Sequence, residues 1–256
     1  AGYPAPLTIF WRFYIMDERL KYIAENLKSL TLGVDDTFKF HCDMCGKCCI
    51  NREDILLNPQ DIYRMAKELK MEPKDMFIRY CETYVGDNSR IPIVRIKPRG
   101  SIKRCPLMAN HKCSVHKAKP TVCAMFPIGR CVQINPYKKA ALDKTDIQYI
   151  FTKPGCGDDS ETHTVREWLE DFGIPLEDDF YIKWNQLLCE LGEICRKGEK
   201  ILSEEGMDNV WSLIFFTIYL DYDTDKEFMP QFEKHSSEIL AFMRLMPTKK
   251  DRKSVV

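Results

Sequence analysis

The sequence predicts an α+β fold, mainly α, in which an irregular Cys-rich layer with a small β-hairpin is flanked by an N-terminal helix pair and a C-terminal helical bundle. Three observations carry this. Apolar residues recur at helical spacing towards both ends of the chain. Short stretches such as Thr37 to Phe40 and Ile91 to Lys97 alternate as strands do. Most of the twelve cysteines lie between Cys42 and Cys156, among prolines that break any long helix.

In chain order, the first fifteen residues are aromatic, lack acid and end at Met16. A start at Met16 and a functional arm ahead of it are both open readings. Asp17 to Leu30 reads as an amphipathic helix with Leu20, Ile23, Leu27 and Leu30 on one face, and Gly33 ends the segment. Thr37 to Phe40 then delivers the chain into His41 to Ile50, HCDMCGKCCI, which packs Cys42, Cys45, Cys48 and Cys49 into eight residues.

Two cysteines at C-x2-C spacing can place both thiolates on one metal through a tight turn, and Gly46 supplies the permissive backbone that such a turn needs. A third at the next step gives C-x2-C-x2-C, the spacing with which ferredoxins hold three irons of a 4Fe-4S cluster. Adjacent side chains are expected to diverge, so Cys49 should reach a second metal or cluster. Disulfides or a buried thiol cluster would be the alternative. Neither suits a reducing compartment, where such thiols are a liability without a metal.

After the cluster, Asn58-Pro59 reads as an N-cap followed by proline at the first helical position, opening a helix to about Leu69. Pro73 opens another through Tyr80, with Cys81 as core. Ile91 to Lys97, the turn Pro98-Arg99-Gly100 and Ser101 to Arg104 are expected to form the hairpin. Cys105, Cys113, Cys123 and Cys131 follow at gaps of seven, nine and seven residues, with no second C-x2-C. That spacing argues against a zinc ribbon or treble clef and suits a site fed by single thiolates from several loops. Cys156, in Lys-Pro-Gly-Cys-Gly, has glycines on either side that let backbone approach a cofactor.

These residues resemble the YkgJ-type CxxCxxCC family. The pieces that match are Cys42-x2-Cys45-Gly46-x-Cys48-Cys49, Asp61 in a helix, Cys105-Pro106-Leu107, Cys113-Ser114-Val115-His116 and Lys119-Pro120-Thr121-Val122-Cys123-Ala124-Met125-Phe126-Pro127. The family is described as zinc- or iron-chelating, and the same Cys pattern occurs in flagellin lysine-N-methylase. The resemblance covers about residues 37 to 160 and implies Cys42, Cys45, Cys48, Cys49, Cys105, Cys113 and Cys123 as ligands, with Cys156 beside them. Members usually show Tyr where His116 stands and Arg where Lys119 stands, so His116 is expected to fill an aromatic slot rather than bind metal.

Cys42, Cys45, Cys48, Cys49, Cys105, Cys113, Cys123, Cys131 and Cys156 are therefore the candidate cofactor ligands. So many thiolates exceed what one zinc takes and approach the eight of two 4Fe-4S clusters. One or two 4Fe-4S clusters are expected, with zinc or mononuclear iron as alternatives. The total charge is zero, yet Asn88 to Leu142 holds twelve Lys and Arg and no acid, leaving 26 basic against 38 acidic residues elsewhere. This basic run is expected to lower the thiol pKa values. It is also a candidate surface for an anionic ligand or nucleic acid, through Lys97, Arg99, Lys103, Arg104, Lys112 and Lys117.

The chain has no G-x-S-x-G, no G-x-G-x-x-G and no Walker loop. A radical S-adenosylmethionine site needs C-x3-C-x2-C, and Arg52 stands where its third cysteine would be. Catalytic residues are thus not assigned; if the chain is an enzyme, a metal-dependent, methylase-like protein modification is the expectation, and a zinc-stabilised binding module or a metal carrier is the alternative. Its partner is expected to be a protein or redox partner. Thr164 to Phe172, Asp179 to Leu202, Asn209 to Leu220 and Asp225 to Met246 read as helices, with Cys189 and Cys195 in their core. The expected divisions are 1–36, an extension and helix; 37–160, the metal-binding domain; 161–247, helical; and 248–256, a polar tail. No apolar run approaches the ~20 residues that span a bilayer, and a cytoplasmic protein is expected.

Overall fold

A computed structural model describes residues 13–14, 18–51, 55–110, 112–132 and 142–245. The polar tail after Pro247 and nearly all of the first fifteen residues lie outside them. The described residues form an α+β fold that is mainly α, in this order: β1 (Phe13–Tyr14), α1 (Glu18–Leu30), β2 (Thr31–Leu32), β3 (Thr37–His41), β4 (Leu56–Leu57), α2 (Pro59–Leu69), α3 (Pro73–Tyr80), β5 (Cys81–Gly86) and β6 (Pro92–Ile96). Then come β7 (Met108–Ala109), β8 (Lys112–Cys113), α4 (Thr121–Met125), β9 (Ile128–Val132), β10 (Ile147–Phe151), β11 (Asp158–Thr164), α5 (Val165–Asp171), α6 (Asp179–Gly198), α7 (Glu204–Phe215) and α8 (Phe228–Arg244).

Local chemistry sets these boundaries. Asn58 caps α2 in a capping box: its Oδ1 accepts from Asp61 N, while Asp61 Oδ2 accepts from Asn58 N, and Pro59 holds the first helical position. Thr164 and Glu167 repeat the device at α5. Ser203 starts α7 with Glu204 and Glu205 in its first turn, five residues earlier than the apolar stretch from Asn209 suggests. The chain continues from α7 through a π turn, Phe216–Leu220.

The main hairpin is not the expected one. β6 pairs antiparallel with β5, Thr83 opposite Val94, and with β4 on its other edge, while β1 runs parallel to β5. Arg99 and Arg104 make only an isolated bridge around a tight turn. Ser101 to Arg104 cannot act as a core strand because it offers no apolar face; Ile102 is exposed. Cys81 to Gly86 can, burying Cys81 and Val85.

Two cores result. The first joins α2, α3, β5 and β6 to α6, α7 and α8, around Ile62, Met65, Met76, Phe77, Val94, Leu191, Phe215 and Phe232. The second lies under β3, β9, β10 and α5, around Phe38, Phe40, Tyr149, Trp168 and Leu169. The cysteine-bearing loops run between them: Cys105, Cys113 and Cys123 pack against the first core, whereas Ala124 and Met125, next along α4, belong to the second. β11 pairs with β3 across residue 160, so the helical C-terminal region and the cysteine region share strands as well as a core.

Candidate metal centre

The cysteine run leaves β3 as two successive turns. Asp43 Oδ1 accepts a hydrogen bond from Cys45 N at 3.1 Å, closing the Cys42–Cys45 turn. Hydrogen bonds from the Cys45 thiol and amide hold the Asp43 carboxyl below its usual range. Gly46 then adopts φ 72°, a left-handed conformation that other residues enter at a cost, and starts the short 3-10 turn Lys47–Cys49, with Cys49 N donating to Gly46 O at 2.9 Å. In that turn the Cys48 and Cys49 sulfurs are 3.9 Å apart. The expectation that these side chains diverge does not hold for this pair: in the turn that follows the left-handed Gly46 the two sulfurs sit about as far apart as two thiolates on one tetrahedral metal.

Cys156 reaches the same turns from β11. That strand pairs Asp158 with His41, which sets the loop at Cys156 across from the start of the cysteine run. Gly157, at φ 69°, permits the approach: a Cβ there would lie 2.2 Å from His41 O. Of the two flanking glycines, this one is fitted against the chain's own backbone. Burial pushes the Cys156 thiol up to about 11, and the neighbouring Cys48, Cys45 and Cys42 push in the same direction.

The second group gathers on Cys49. Cys105 N donates to Cys49 O at 2.8 Å, joining the two cysteine segments through the backbone. The small β7–β8 hairpin opposes Met108 to Cys113 and so returns Cys113 beside Cys105. Burial raises the Cys105 thiol, but backbone hydrogen bonds from Leu107 and Met108 act against it, while Cys113 and Cys48 add to it. Cys49 is raised by its contact with Cys48, by burial, and by the charges of Cys48, Cys105 and Cys123. Cys123 arrives on α4, which Asp61 anchors. This carboxylate, 1% exposed, accepts from Thr121 N at 2.8 Å, Thr121 Oγ1 at 2.7 Å and Arg64 Nη2 at 2.9 Å.

Nine cysteines were expected at the site, and the structure gathers eight of them. Cys156 lies near Cys42, Cys45 and Cys48, and Cys49 lies near Cys48, Cys105 and Cys123, with Cys113 and Cys48 near Cys105. Cys131 sits apart in β9, opposite Gln148, and is raised by burial with no other thiol contributing. Cys81 and Cys195 are buried core thiols and Cys189 is half-buried. Among the described residues, no three His, Cys, Asp or Glu side chains converge tightly enough as they stand to enclose an ion.

The basic run does not lower the resolved thiols. Cys105, Cys131 and Cys156 are displaced upward first by burial and Cys49 first by its contact with Cys48, while three arginines of the run face acids. Arg90 meets Glu199, Arg95 meets Glu82 at 2.7 Å and Arg130 meets Asp178 at 2.9 Å. Lys97, Arg99, Lys103, Lys112 and Lys117 are exposed. His116 is exposed too, and Lys119 lowers its pKa.

Sequence reasoning missed the charged group beside Cys42. His41 Nδ1 lies 3.0 Å from Glu161 Oε1, which holds the imidazole above its ordinary pKa, and His163 Nε2 lies 3.5 Å from Glu161 Oε2. Nothing in the spacing marks it, since the β3–β11 pairing brings these residues together. The amides aimed at Cys105 were equally invisible, although Cys-Pro followed by two apolar residues marks where they lie.

The donor set suits a thiophilic metal. Thiolates select zinc and iron-sulfur centres over magnesium or calcium, and backbone N–H donors to sulfur are the interactions that tune iron-sulfur sites. Fold and site together define a cysteine-thiolate metal-binding region in an α+β scaffold. Residues 41–149 match the CxxCxxCC family, whose description reads "Putative zinc- or iron-chelating domain". Cys156 lies beyond the matched residues. No curated protein and no solved structure matches the chain, and the expected distant likeness to flagellin lysine-N-methylase gains no support. No helix among the described residues is long and apolar enough to cross a membrane.

Proposed function

We propose that the chain is an iron-sulfur protein with two four-thiolate centres, one on Cys42, Cys45, Cys48 and Cys156 and one on Cys49, Cys105, Cys113 and Cys123. What supports this reading is that Cys156 neighbours Cys42, Cys45 and Cys48, that Cys49 neighbours Cys105 and Cys123, and that Cys48 and Cys49 link the two sets at 3.9 Å. Eight thiolates are what two 4Fe-4S clusters take. Such clusters supply one-electron transfer when bound. The chain's own part is to hold the sulfurs, through Gly46 and Asp43 in the turns and through Asp61 behind α4, and to direct the Leu107 and Met108 amides at Cys105.

The role that follows is redox exchange with a protein partner. A reducing, cytoplasmic setting, which keeps cysteines available to metal, would suit this role. A lysine-methylation-like activity rests on the Cys pattern alone, and no residue of this structure adds to it.

A second reading has its own observation. The exposed Lys97, Arg99, Lys103, Lys112 and Lys117 would give a zinc-stabilised module a face for an anionic partner or nucleic acid. Metal and sulfide analysis of protein purified without air separates the two. About eight irons and eight sulfides per chain are expected from two clusters. About two zinc ions without sulfide would overturn the iron-sulfur reading and leave four thiolates to each zinc.

A further inference from the structure

Away from the thiols, α6 lies over the β5–β6 hairpin and α4 and leaves a cavity of about 320 Å³ between them. Its walls are largely apolar, with Leu57, Pro92, Val122, Ile128, Trp184 and Tyr219 among them. Two polar side chains on those walls are left without hydrogen-bond partners at buried atoms: Ser89 Oγ, and Nε and Nη1 of Arg130. The Arg130 side chain is 4% exposed and its guanidinium carbon lies 3.8 Å from the centre of the Tyr181 ring. Nη1 lies 2.9 Å from Asp178 Oδ2, which offsets the charge without the alignment of a hydrogen bond.

Arg130 lies at Tyr181 and Ser89 at Gly192, about 16 Å apart along α6, so they serve different parts of the cavity. A buried donor left unmade costs about 1–3 kcal/mol, and the two on Arg130 call for an occupant. An apolar cleft with a few convergent polar groups is the usual form of a small-molecule site, and the volume lies at the lower end of the range of about 300–1,000 Å³. Charge narrows the class. Arg130 is balanced by Asp178, and Asp61, also on the wall, by Arg64. An ionic ligand would lose its hydration and gain no counter-charge. We propose that this cavity binds a small, neutral, mainly apolar molecule whose oxygen, of the amide or ketone type, accepts a hydrogen bond from Arg130.

Titration of the full-length protein with hexanamide and with hexanoate, followed by ligand-observed NMR, tests this without reference to metal content. Saturable hexanamide binding is expected, at least fivefold tighter than that of hexanoate. Leu188→Trp, which fills the cavity from α6, should weaken hexanamide at least tenfold, and Arg130→Lys, which keeps the charge facing Asp178 but removes Nε, at least threefold. Absence of saturable hexanamide binding, equal binding of the two probes, or binding indifferent to both substitutions would overturn the proposal.

Discussion

Cys156 and Cys131 look alike in the sequence, as single cysteines far from the C-x2-C run, yet they differ in what their backbones allow. Cys156 is brought to the run by the β3–β11 pairing and by a glycine that tolerates close approach to His41 O, whereas Cys131 is held in β9 with its sulfur away from the other thiols. Cys156→Ser should therefore remove about half of the bound metal, the share of one four-thiolate centre. Cys131→Ser should keep all of it. Metal content per chain, measured on both variants, checks the pair; equal losses would remove the division of thiols argued above. The run itself was legible because four thiols in eight residues have few uses besides metal. The approach of Cys48 to Cys49 was not, since it depends on a 3-10 turn that begins at a left-handed glycine.

At the scale of elements, the site rests on α2 as much as on the loops that carry cysteine. Asp61 closes the capping box of α2 and, through its other oxygen, fixes the first residue of α4, on which Cys123 lies two positions further along. A buried carboxylate that accepts on both oxygens cannot be replaced by an amide without turning one acceptor into a donor, facing either Asn58 N or Thr121 N. Asp61→Asn should thus destabilise the protein by about 2–3 kcal/mol, the usual loss for hydrogen bonds to a buried charge. Urea unfolding at fixed metal content measures it, and an unchanged midpoint would show that α4 is held by packing alone. Helix starts such as Asn58-Pro59 and Thr164 could be read from the sequence because capping is a local signal. The hairpin partner could not. β5 and the Ser101–Arg104 stretch lie at similar distances along the chain from β6, and burial of Cys81 and Val85 decides between them.

At the scale of the whole molecule, the cysteine region does not own its core. Phe77 of α3 packs on Phe215 of α7 with ring centres 4.8 Å apart, Tyr63 of α2 donates to Lys226 O at 2.6 Å, and Trp211 of α7 donates to Arg90 O at 3.0 Å. The acidic C-terminal part also supplies Glu199 and Asp178 to Arg90 and Arg130 of the basic run, so part of the charge asymmetry visible in the sequence is an internal pairing. Cutting the chain at residue 160 would expose Ile62, Met65, Met76 and Phe77 together. Each such side chain is worth about 1.5–3 kcal/mol when buried, and four of them rival the whole stability of about 5–15 kcal/mol that a domain commands. Without metal, a fragment of residues 37–160 should show a coil-like far-ultraviolet spectrum and no cooperative transition. The full chain, freed of metal in the same way, should keep its helices and unfold in a single step, because the first core contains no thiolate ligand among its fully buried side chains. Cooperative unfolding of the metal-free fragment would show instead that the metal-binding region carries a core of its own and that the C-terminal helices are an attachment to it.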